Sequence, residues 1–153
     1  MKLLIKILSS VFFIGYSPFA PGTLASLAAF FAYVLFIRGN LAGHLISVFL
    51  LTVLGFWLSG EAEKLFNKKD ARQIVIDDFT GMLVGLLFLP YSLKAALVGL
   101  VFFRIMDVLK PYPILKIERL PRGWGVMGDD LLAGLYANIA LQLLIRLTRL
   151  NFS

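Results

Sequence analysis

No cysteine occurs in the 153 residues, so disulfides, thiolate nucleophiles and cysteine-ligated zinc or iron–sulfur centres are excluded. Histidine is nearly absent too. The single one, His44, lies inside an apolar run with no acid near it in sequence, and it reads as a polar group packed between helices. Charge is scarce: 16% of residues are charged and 59% apolar, where a soluble domain has about 25% and 45–50%. With a mean hydropathy of +0.87, ordinary soluble globularity is excluded. The length suits a single unit, residues 1–153, and leaves no room for a water-soluble catalytic domain beside a membrane anchor. Any chemistry must therefore use helix ends and short loops of the membrane-embedded unit.

The formal charge of +6 would suggest a nucleic-acid partner in a polar protein, but here Lys and Arg flank apolar runs, as in segments that face anionic headgroups. The expected partner is a membrane, with no nucleic acid. Residues 2–14, with Lys2 and Lys6 among leucines and isoleucines, read as an amphipathic interfacial helix retained in the mature protein.

Four hydrophobic stretches follow, Leu24–Ile37, Leu41–Leu58, Phe79–Phe103 and Leu131–Leu147. The third would make about 37 Å of continuous helix, more than a bilayer core needs. Pro90-Tyr91-Ser92 and Lys94 fall near its middle, where a lysine in hydrocarbon would be expensive, so the stretch reads as a hairpin of two short helices, roughly 75–89 and 92–107. The expected fold is thus an all-α integral membrane bundle of about five short spans (roughly 22–38, 41–59, 75–89, 92–107 and 130–148) plus the N-terminal interfacial helix. That topology puts Arg38, Lys94, Arg146 and Arg149 outside and the other eleven of the 15 basic residues inside, as the positive-inside rule requires. The active face is then cytoplasmic. Small residues within the spans, such as Ala25, Ala28, Gly81 and Gly85, let helices approach closely.

Of the nine acids, Asp77, Asp78, Asp107, Asp129 and Asp130 adjoin spans, and the five-span topology brings all of them to one membrane face. Asp77 and Asp78 open the third span, Asp107 closes the fourth, and Asp129 and Asp130 open the fifth. Like charges gathered this way repel unless a cation holds them, and a hard divalent ion such as Mg²⁺ is the simplest one. Helix capping by Asp77 and Asp129, and an i, i+3 ion pair of Arg104 with Asp107, are the structural alternatives. Arg104 and Lys110 suit phosphate, one as a bidentate fork and the other as a mobile point charge. The turn Gly15–Thr23, with the hydroxyls of Ser17 and Thr23 before a helix start, is a further place for an anion to meet backbone N–H groups.

Four segments, Gly15-x-Ser-Pro-x-x-Pro-Gly-Thr23, Ile76-Asp-Asp-Phe-x-Gly-Met82, Phe103-Arg-Ile-x-Asp-x-x-Lys-Pro-x-Pro-Ile114 and Gly125-x-Met-x-Asp-Asp-x-x-Ala-Gly134, resemble the phosphatidylglycerophosphatase A family in its own order. They cover nearly the whole chain. The resemblance implies a multi-pass enzyme of the cell inner membrane that uses magnesium to convert phosphatidylglycerophosphate to phosphatidylglycerol, a precursor of cardiolipin. It places the acidic motif positions on Asp77, Asp78, Asp107, Asp129 and Asp130, as catalytic residues and metal ligands, and the basic ones on Arg104 and Lys110. The chain departs from the family pattern in two places: some members carry Glu where this chain has Asp78, and Arg122-Gly123-Trp124 stands where His-Gly-Gly is expected.

With no Cys, no placed His and no Asp-x-Asp motif, covalent phosphatase routes fit poorly, and a metal-activated water is left as nucleophile. The rival from another class is a small ion or metal transporter. It should place acids near mid-span or show two similar halves, and this chain does neither.

Overall fold

The computed structural model describes residues 1–148, and every regular element in them is helical. Arg149, expected on the outer side, lies outside the described residues. Helix α1 spans Lys2–Ser9. A short tight turn at Ile14–Tyr16 leads to α2, Pro21–Ala32, which runs on through a wider turn at Tyr33–Ile37. Then come α3, Leu41–Phe66; α4, Ile76–Gly85; α5, Leu93–Leu109; α6, Ile114–Glu118; and α7, Gly123–Thr148.

Local chemistry sets these boundaries. Pro21 starts α2 because the first turn needs no partner for its N–H groups and φ is already helical. Asn40 caps α3 by accepting the Gly43 N–H at 2.9 Å, and α3 ends where Asn67 turns left-handed at φ 49°. Pro90 cannot continue a helix, and the Ser92 hydroxyl caps the next one by accepting the Ala95 N–H at 3.4 Å. The long apolar stretch is therefore two helices, α4 and α5, as the hairpin reading expects.

Three helices differ from expectation. The N-terminal one, expected over 2–14, ends at Ser9, and Val11, Phe12 and Phe13 beyond it take positive φ, which no right-handed helix allows. α3 runs on past residue 59 through Glu61-Ala62-Glu63-Lys64, all good helix formers, because Ala62 and Glu63 face inward. There Ala62 joins Ile5 of α1, Leu58, Ala71, Ile74 and Ile76 in a small apolar cluster, so α1 is docked on α3 along one side. α7 begins at Gly123, not near residue 130. Its first turn lies on backbone: a methyl on Gly125 would stand 2.5 Å from the Leu120 carbonyl oxygen and 2.6 Å from that of Glu118. Asp129 and Asp130 consequently lie in the second turn of a helix rather than opening it, so neither is an N-cap.

α7 is the centre of the bundle, packed on α3, α4, α5 and α6. Its closest neighbour is α4. A methyl on Gly81 would stand 2.5 Å from the Asp130 carbonyl oxygen, and one on Gly134 would overlap the Gly81 carbonyl. Around this crossing Phe30, Tyr33, Met82, Leu86, Phe103, Ile114 and Leu141 form the main core. Two buried polar side chains complete it. His44 Nε2 lies 2.8 Å from the Leu83 carbonyl oxygen, and Asn138 donates to the Gly85 and Leu87 carbonyls at 3.1 and 2.6 Å, satisfying groups that the end of α4 leaves free.

Among the described residues, α3 and α7, each of 26 residues, are long and apolar enough to cross a membrane. Only 17% of α3's apolar stretch is buried, and Phe49, Leu50, Val53 and Trp57 point outward, so its hydrophobicity is not spent on a core. By contrast, the 10 residues of α4 rise about 15 Å, half the thickness of a hydrocarbon layer. By length and composition two helices could cross a membrane, and the expectation of about five spans is not confirmed.

Candidate active site

Four elements and one loop meet around a polar cavity of about 330 Å³. The first turn of α4 brings Asp77 and Asp78, the last two turns of α5 bring Arg104 and Asp107, and Lys110 follows as its C-cap. The second turn of α7 brings Asp129 and Asp130; the start of α2 brings Pro21 and Gly22; the loop between α3 and α4 brings Asp70 and Arg72. The polar segment after α3 and the one after α5 therefore share one end of the molecule.

The five aspartates divide into two sets. Asp77, Asp78 and Asp130 each offer a carboxylate oxygen within 4.8 Å of the others. Asp107 and Asp129 lie outside that trio and face cations, and Asp78 shares the cation of Asp107. Arg104 Nη1 lies 2.9 Å from Asp107 and 2.5 Å from Asp78, and it also donates to the Ser26 hydroxyl at 3.3 Å. Lys110 Nζ lies 2.7 Å from Asp129 and 3.3 Å from Glu118. The second oxygen of Asp129 accepts the Asp130 N–H at 3.0 Å, which ties the two sets together. Burial works against the Lys110 ammonium, but the hydrogen bond and charge of Asp129, with Glu118, raise its pKa above the ordinary lysine value, so the charge is held.

The cavity wall carries six carboxylates against three cations. Asp77 and Asp130 are buried and make no ion pair among the described residues, and Asp77 Oδ1 has no hydrogen-bond donor. Such an arrangement is costly without a further positive charge. Three converging carboxylates, one of which has an oxygen with no hydrogen-bond donor, and no His or Cys among them fit a hard divalent cation such as magnesium.

Capping does not explain the acids, since the N-cap position of α4 is Val75 and carries no side-chain bond. Ser17 and Thr23, expected to bind substrate, lie outside the polar cavity. The Ser17 hydroxyl is used within its own turn, donating to the Phe19 carbonyl at 3.0 Å, and Thr23 lines an apolar cleft on the other side of α2. From that turn it is Gly22 that reaches the site: a methyl there would stand 2.5 Å from the Asp78 carboxylate, so the short Asp78 side chain and the bare glycine fit each other. Sequence reasoning missed Asp70, Arg72, Ser26 and Glu118. Arg72 is held by the carbonyls of Ser17 and Pro18 and, among the described residues, makes no ion pair. Nothing in the spacing of these four marks them; a cation two residues after an acid in a polar loop looks like any solvated segment.

The family model for phosphatidylglycerophosphatase A matches residues 7–145. A protein of Bacteroides thetaiotaomicron provisionally named a phosphatidylinositol-3-phosphatase is 33% identical over 135 residues, covering 83% of this chain and 84% of that one. The phosphatidylglycerophosphatase A of Escherichia coli K12 is 37% identical over 78% of this chain and 71% of its own length. That of Haemophilus influenzae is 36% identical over 80% and 77% respectively. No solved structure gives a significant match. The chain belongs to the phosphatidylglycerophosphatase A family.

Proposed function

We propose that this member of the family is a magnesium-dependent lipid phosphatase that hydrolyses phosphatidylglycerophosphate to phosphatidylglycerol and phosphate. The observation that carries the reading is the set of Asp77, Asp78 and Asp130, with its orphaned oxygen, beside paired cations in a bundle whose outer surface is apolar. Asp77, Asp78 and Asp130 would hold the ion, and Asp107 and Asp129 act through Arg104 and Lys110. When bound, magnesium supplies charge neutralisation on the phosphoryl oxygens and lowers the pKa of the attacking water.

The protein's own groups do the rest. Arg104 is held in place by Asp78, Asp107 and Ser26, so its guanidinium is preorganised for a phosphoryl group and needs little reorganisation when one arrives. Lys110, fixed between Asp129 and Glu118, adds positive charge where the leaving alkoxide develops. Arg72 presents to the cavity a charge balanced by carbonyls alone, which suits recruitment of the anionic headgroup. The cavity faces the cytoplasm, a reading supported by the eleven of 15 basic residues that the five-span topology puts on that side. On this reading the enzyme acts in the inner membrane, in phosphatidylglycerol and cardiolipin synthesis.

A transporter is not favoured, because the acids gather at helix ends around one cavity. The relative named for a phosphatidylinositol phosphate makes substrate choice the test. Purified protein in detergent with Mg²⁺ is expected to release phosphate from phosphatidylglycerophosphate with a far higher kcat/KM than from phosphatidylinositol 3-phosphate. The reverse ranking would move the assignment to inositol lipids.

A further inference from the structure

A second cleft, of about 670 Å³, runs along the outside of α5 beside the start of α2. Leu100, Val101, Ile105, Val108 and Thr23 line it, together with Arg104, and its walls present carbon only. Water and sugars gain nothing there, whereas hydrocarbon does. Arg104 is the wall between this cleft and the carboxylate cavity. Its carbon stem faces the cleft while its guanidinium bonds Asp78 and Asp107.

We infer that this cleft receives an acyl chain of the lipid whose phosphate enters the carboxylate cavity, so that substrate arrives sideways from the bilayer between α2 and α5. The inference rests on the lipid-phosphatase reading and adds the route and the seat of the tail. A bound amphiphile must put its phosphate beside Arg104 and its chains in an apolar place within reach, and this cleft meets that need through the same residue. The other large apolar cleft, about 500 Å³ between the Ile14–Tyr16 turn and α2, is lined by Phe13, Tyr16, Leu24 and Phe31 and shares no residue with the cavity. It meets the cavity only indirectly, through the Ser17 carbonyl that accepts from Arg72.

The test is to fill each cleft. Val101 and Val108 are 56% and 72% exposed, so Val101→Trp and Val108→Trp leave the core intact while occupying the first cleft; Leu24→Trp occupies the second. Phosphate release is measured against the surface mole fraction of long-chain phosphatidylglycerophosphate in mixed micelles with Mg²⁺. The expected result is a fivefold or greater rise in KM for both valine variants with kcat retained, and no change for Leu24→Trp. In parallel, phosphatidylglycerophosphate carrying a diazirine on one acyl chain is expected to cross-link to residues 100–109 of the unaltered protein. An unchanged KM in both valine variants, an equal rise in Leu24→Trp, or cross-links confined to the second cleft would overturn the inference while leaving the activity standing. Absence of phosphate release from the unaltered protein would overturn the lipid-phosphatase reading, and this inference with it.

Discussion

Gly81→Ala connects packing to chemistry most sharply. A methyl at Gly81 would meet the Asp130 carbonyl oxygen at 2.5 Å, its carbon at 2.9 Å and the Phe103 ring at 2.9 Å. An ordinary carbon contact needs 3.4 Å or more, so α4 and α7 must part by roughly 1 Å, and the obstacle is backbone that cannot rotate away. Overpacking of this kind costs about 1–3 kcal/mol. The displacement also falls directly on the site, because Asp130 rides on α7 and Asp77 and Asp78 on α4. A misplacement of about 1 Å between groups that must act together can cost about 100-fold in turnover. Gly81→Ala is therefore expected to insert and fold with a lowered midpoint of thermal unfolding in detergent, and to lose about two orders of magnitude in kcat. Wild-type turnover together with wild-type stability would show that the helices are not in contact as described, and the account of how the carboxylates are brought together would fail.

Other perturbations separate the roles of individual side chains. Asp130→Asn keeps shape but removes charge, so phosphate release should fall by orders of magnitude with little loss of thermal stability; parallel losses of both would mark a structural role. Arg104→Lys keeps the charge but cannot reproduce the contacts to Asp78, Asp107 and Ser26 at once, and kcat/KM should drop at least tenfold. Near-normal kinetics would make Arg104 an interfacial anchor. Cysteines placed singly at Lys68 and Lys116 of this cysteine-free chain should both be labelled by an impermeant reagent from the cytoplasmic side; labelling from opposite sides would refute the shared face.

The convergence of the aspartates was legible in the sequence because each adjoins an apolar run, and the break between α4 and α5 was legible in Pro90-Tyr91-Ser92. Which acids meet was not, since it depends on helix phase. α7 begins seven residues before residue 130, and consecutive residues on a helix point about 100° apart, so Asp129 turns to Lys110 and Asp130 to Asp77 and Asp78. Ser26 hid among Ala25, Ala28 and Ala29, where it reads as one more small packing residue, yet its hydroxyl bonds Arg104. The role of Ser17 was not legible for the opposite reason, because a hydroxyl in a Pro-rich turn bonds its own backbone, as here, as readily as an anion. Hydropathy registers apolar composition alone, and α4 combines that composition with burial in the bundle and a length of 10 residues, so the number of spans was not legible from apolar runs.

The central claim is that carboxylates on α4 and α7 hold a hard divalent cation that hydrolysis of a lipid phosphomonoester requires. The direct measurement is phosphate release from phosphatidylglycerophosphate by the purified protein in detergent, first in excess EDTA and then with Mg²⁺ or Zn²⁺ restored. The account predicts that activity disappears in chelator, returns in full with Mg²⁺ and returns poorly with Zn²⁺, because the converging ligands are oxygens. Full activity in excess EDTA would contradict it.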